Sequence, residues 1–99
     1  MYDITEIQIV PIIPRDGIVA FASVIFEDAF YLGSIAIITR PHGGYRLSYP
    51  TRKLVGTNVR VFYPINKEVA ALIEQAVIEK YESVVKERPA SAKRSVDGE

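Results

Sequence analysis

An α+β fold, a twisted antiparallel β-sheet of about five strands with one long C-terminal helix packed on one face, is predicted by three observations in this chain. Apolar residues alternate in short runs between Ile4 and Tyr63, the period of two that puts successive side chains on opposite faces of a strand. After Pro64 the period changes to steps of three and four. A chain of 99 residues is too short for two cores, so both patterns must share one interior. The expected organisation is a single domain over residues 1–88 and a disordered tail over 89–99.

Ile4–Val10 sets Ile7 and Ile9 against Glu6 and Gln8, the alternation of a half-buried strand. Pro11 and Pro14 remove ladder donors just beyond it and mark a sheet edge. Arg15-Asp16-Gly17 is a turn, with Gly17 free to take positive φ. Ile18–Phe26 is apolar on both of its faces, and Phe30–Ile38 repeats that character around Gly33. Pro41-His42-Gly43-Gly44 caps a hairpin into Tyr45–Tyr49, Pro50–Gly56 reads as a loop, and Val59–Tyr63 alternates again. In the helix, Val69, Leu72, Ile73, Ala76, Val77, Tyr81 and Val84 draw an apolar stripe with Lys80 as its polar member. Asn66 is placed to cap it, Glu68 suits its positive end, and Pro89 should stop it by Arg88. One helix covers one side of a sheet, yet the second and third strands are apolar on both. A second copy of the chain is the simplest cover for the other side.

Composition narrows the function classes. Hydrophobic residues make up 48% and charged residues 24%, the balance of a folded soluble domain. With no cysteine, disulfides, thiolate metal sites and thiol nucleophiles are excluded. No basic segment precedes an apolar one at the N-terminus, and no apolar run approaches a membrane span, so a cytoplasmic location is expected. The lone His42 sits in a turn, and the adjacent Glu27 and Asp28 would point to opposite faces of a strand rather than form a metal or acid–base pair. Gly43, Gly44 and Gly56 lack the strand–loop–helix order of a phosphate-binding loop. The expectation is no enzyme, no cofactor, no metal and no small-molecule substrate.

Charge is neutral overall but unevenly placed. Residues 1–28 set Arg15 against five acids, whereas residues 29–67 hold Arg40, Arg46, Arg52, Lys53, Arg60 and Lys67 with no acid at all. Screening confines each charge to about 8–10 Å at physiological salt, so a local excess can bind a polyanion despite zero net charge. Tyr45, Tyr49 and Tyr63 interleave with these bases. Arginine and lysine neutralise phosphates, and tyrosine can bond a phosphate or stack on a base. The alternative is that the tyrosines are core residues and the bases only solvate a surface. The candidate nucleic-acid-binding residues are Arg52, Lys53, Arg46, Arg60 and Lys67.

Ala20-Phe21-Ala22-Ser23-Val24, Tyr49-Pro50-Thr51-Arg52-Lys53 and Tyr63-Pro64-Ile65-Asn66, the last followed by Ile73, Ala76, Val77 and Tyr81, resemble in order and spacing the stage V sporulation protein G (SpoVG) family of septation regulators. The resemblance runs from Ile4 to about Tyr81. It implies a homodimer that binds DNA or RNA and affects transcription, septation and, in spore formers, sporulation. Arg52 and Lys53 match the family's basic element after Pro50. The chain departs from the pattern at Ile18-Val19, at Gly33-Ser34 and in the loop before Val59, where it keeps only Gly56. A second expectation, of a different class, is a protein-interaction module in cell division that docks a partner on an exposed strand edge or apolar sheet face.

Overall fold

The computed structural model describes residues 2–96, with side chains described for residues 2–86. Six strands precede one helix: β1 (Ile4–Arg15), β2 (Ile18–Phe26), β3 (Phe30–Thr39), β4 (Tyr45–Ser48), β5 (Thr51–Leu54), β6 (Thr57–Arg60) and α1 (Lys67–Val96). They form two antiparallel sheets rather than one. β1-β2-β3-β4 is a meander in sequence order, and β5-β6 is a separate two-stranded ribbon. α1 runs past the stop expected by Arg88, through Pro89 to Val96; residues 97–99 of the expected tail lie outside the described residues.

β1 is an edge strand, as its prolines require, and it runs through both of them to Arg15. A bulge near Glu6, whose φ is +48°, breaks its register between Thr5 and Gln8. The irregularity lets Ile4, Ile7 and Ile9 all pack on the core. The β1–β2 hairpin closes on Asp16 and Gly17 at φ +54° and +85°, the paired positive angles of the turn that matches strand twist. A second bulge interrupts β2–β3 between Ala22 and Val24, where Ser34 has φ +59°.

One face of the meander carries Ala20, Ala22, Val24, Ile35 and Ile37, and α1 lays Ile73, Val77 and Tyr81 on them. The helix backbone comes nearest to β1 and β4, and its side chains meet the alanines and Val24 of β2 and the isoleucines of β3 over the middle of the sheet. Val69 and Val85 extend the helix row, so the buried line is a strict i, i+4 ladder. Leu72 is therefore half-buried, beside the seam rather than on it. Asn66 caps the helix as expected: the N–H groups of Glu68 and Val69 donate to its Oδ1 at 2.8 and 3.1 Å.

The opposite face of the meander has no helix over it. Register places Gln8, Val10, Phe21, Ser23, Ala36, Ile38 and Arg46 there. Val10 is 59% exposed, Phe21 37% and Tyr31 70%. Gln8, Val10, Phe21, Ser23, Tyr31 and Ser34 line a shallow groove of about 340 Å³ on this face.

Candidate nucleic-acid interface

Pro50–Gly56, expected as a loop, contains β5, and the expected strand over Val59–Tyr63 is shifted to Thr57–Arg60. Thr51-Arg52-Lys53-Leu54 gives no apolar alternation to announce a strand; the partner segment supplies the pairing instead. Thr51 faces Arg60, Arg52 faces Val59, Lys53 faces Asn58 and Leu54 faces Thr57. Val55 and Gly56 make the turn. Gly56 holds φ +77° with open space around its Cα, so backbone conformation rather than crowding requires the glycine. At the ribbon's base the Val61 N–H donates to the Pro50 carbonyl at 2.9 Å.

All eight strand residues of the ribbon are exposed. Directly paired residues of an antiparallel ladder share a face. Thr51, Lys53, Asn58 and Arg60 thus make one entirely polar face, and Arg52, Leu54, Thr57 and Val59 make the other. Arg52 and Lys53, adjacent in sequence, point to opposite sides. The Arg60 guanidinium lies 3.7 Å above the centre of the Tyr63 ring, a cation–π contact that fixes its plane.

The five candidate cations are distributed over three elements. Arg52, Lys53 and Arg60 share the ribbon. Arg46, on β4, points to the open face of the meander, because its neighbours Tyr45 and Leu47 pack on the core. Lys67 opens α1 at the positive end of the helix dipole, where a cation does not stabilise the helix. Among the described residues, none of these five has a carboxylate within 4.0 Å; the ion pair that forms, at 3.8 Å, joins Arg40 to Glu74.

The tyrosines divide. Tyr45 meets Tyr81 edge to face at 5.0 Å between ring centres, and Tyr49 meets Phe62 in the same way at 5.9 Å. Both are half-buried and packed on the core, so the core reading holds for them. Burial, reinforced by the nearby Glu74 charge, pushes the Tyr49 phenol up to about 12. Tyr63 alone of the three stays at the surface. Asn58 carries no signal in the sequence alone and joins this surface through the register, which pairs it with Lys53. Glu27 and Asp28 occupy the β2–β3 turn at φ +56° and +53°, and Glu27 Oε2 accepts from the Asp3 N–H at 2.7 Å. His42 is exposed in the β3–β4 turn.

The SpoVG family model matches residues 2–83, spanning the meander, the ribbon and the first half of the helix. The chain belongs to the SpoVG family. It is 34% identical over 83 residues to a SpoVG protein of Caldicellulosiruptor saccharolyticus, covering 83% of this chain and 93% of that one. A SpoVG of Treponema denticola is 32% identical over 81 residues, covering 81% and 86%. One of Acetivibrio thermocellus is 31% identical over 83 residues, covering 83% and 87%. All three are named as candidate septation proteins.

Proposed function

We propose that this SpoVG-family protein is a nucleic-acid-binding homodimer that regulates septation and transcription, with the β5–β6 ribbon as its principal contact. The septation role follows the names of its relatives. One observation carries the binding role: an exposed ribbon holding Arg52, Lys53 and Arg60, with no acid in its own sequence and no described carboxylate in reach. Exposed cations without a carboxylate partner contribute little to folding, and they are what a phosphate backbone requires. The open face of the meander supports the dimer, since its exposed Val10, Phe21 and Tyr31 form an apolar surface that a second copy would cover. No described helix is long and apolar enough to cross a membrane.

The test is a salt titration of duplex DNA binding by wild type and by the Arg52→Ala/Lys53→Ala variant. Each phosphate contact contributes a slope of about −0.9 to log affinity against log salt. The variant is expected to bind more weakly with a slope shallower by up to about two units per subunit, and to melt as wild type does. An unchanged slope removes the ribbon from the interface. Absence of binding by wild type at low salt rejects the nucleic-acid reading in favour of a protein-docking role.

A further inference from the structure

The ribbon's two faces are chemically unequal, and that inequality says more than its charge does. Thr51, Lys53, Asn58 and Arg60 are all hydrogen-bonding side chains, gathered on one face by the register Thr51–Arg60 and Lys53–Asn58. We propose that this face enters the major groove of duplex DNA and that Asn58 reads an adenine there. The inference rests on the nucleic-acid reading above and adds its target and its mode.

Dimensions agree. Two strands lie about 4.8 Å apart, and the major groove, about 12 Å wide, admits a two-stranded ribbon with its side chains. Four residues per strand at about 3.4 Å each extend about 13 Å, the rise of about four base pairs. The two-residue Val55-Gly56 turn keeps the leading end narrow. Thr51, Lys53, Asn58 and Arg60 are all exposed, so the polar face is open to meet a groove floor.

Chemistry assigns the roles. Asparagine offers one acceptor and two donors in a plane, the complement of adenine N6 and N7. Arg60 presents the fork that suits guanine O6 and N7, and Tyr63 beneath it holds that fork in a fixed plane before DNA arrives. Lys53, across the ladder from Asn58, brings positive charge to the same face. Arg52 is turned away from the groove floor and reaches only phosphates on the groove wall.

The experiment selects bound molecules from a pool of short DNA duplexes with a randomised centre, using wild type and Asn58→Ala. Wild type should enrich a motif containing at least one adenine. Asn58→Ala should lose preference at that position by about 5- to 150-fold, the range of one bidentate base contact, with an unchanged salt slope. Because a variant can disturb the ribbon itself, the motif adenine is also replaced by 7-deazaadenine, which lacks the N7 acceptor. That duplex should bind wild type more weakly and Asn58→Ala no differently. Steep salt dependence without any motif, or the same motif in Asn58→Ala, overturns groove reading while leaving phosphate binding intact. Tighter binding of single-stranded RNA than of duplex also overturns it. Failure to bind any of these nucleic acids brings down the underlying reading as well.

Discussion

Ile73 is the second residue of the i, i+4 row that α1 presses against the sheet, and only 2% of its surface is exposed. Truncation there removes a side chain from a site with sheet below and helix above, so Ile73→Ala should cost about 2–5 kcal/mol in a urea melt. Leu72→Ala should cost distinctly less, because part of Leu72 already meets water. Periodicity alone made the two equivalent; only the packed helix turns one inward. Tyr49 gives a residue-scale test of a different kind. Its phenol ionises at about 12 in the folded state against about 10 when unfolded, so the folded state holds the proton more tightly. Below pH 10 both states are protonated and stability is unaffected. Between about pH 10 and 12 the unfolded chain ionises first, and stability falls as pH rises. Tyr49→Phe should flatten that part of the fall, which melts of the two proteins at pH 9 and pH 11 would measure.

At the scale of elements, the N-terminus of α1 depends on Asn66, whose Oδ1 accepts from both Glu68 and Val69. Asn66→Ala should cost about 0.5–2 kcal/mol, read as a lower denaturation midpoint, whereas Asn66→Ser should recover most of it. The cap was legible in the sequence because asparagine after Tyr63-Pro64-Ile65 has a local meaning that needs no tertiary context. The Asp16-Gly17 turn and the two apolar strands were legible for the same reason. The ribbon was not. Thr51-Arg52-Lys53-Leu54 has no buried face to impose alternation, and its strand character comes from pairing with Thr57–Arg60 alone. Its cations could be named from sequence but not sorted onto faces, and the burial of Tyr45 and Tyr49 was undecidable because tyrosine serves core and surface equally. A two-stranded ribbon with no apolar face against the core is marginal in water. Its amides should therefore exchange with solvent orders of magnitude faster than those of β2 and β3 in the free protein, and slow down on adding DNA if the ribbon is the contact.

For the whole molecule, the decisive asymmetry is that α1 covers one side of a sheet whose central strands are apolar on both. Phe21 and Tyr31 remain exposed on the uncovered side, beside Val10 and the groove they share. An apolar surface of this kind in a neutral protein invites association, because no net charge holds copies apart. The proposed dimer places these residues at a two-fold interface, where each patch meets its own copy. Light scattering at micromolar concentration should then give twice the 11.1 kDa of one chain. Phe21→Lys should yield the single-chain mass with folding retained, because the side chain it replaces is not part of the helix-covered core and a lysine there brings like charges face to face. A dimer also presents two ribbons to one duplex, so the same variant should bind DNA with a salt slope about half that of wild type, each ribbon contributing its own counterion release. A wild type that runs as a monomer at micromolar concentration defeats the dimer. A Phe21→Lys protein that remains dimeric moves the interface elsewhere, to the free edge of β4 or to the ribbon face that carries Leu54 and Val59.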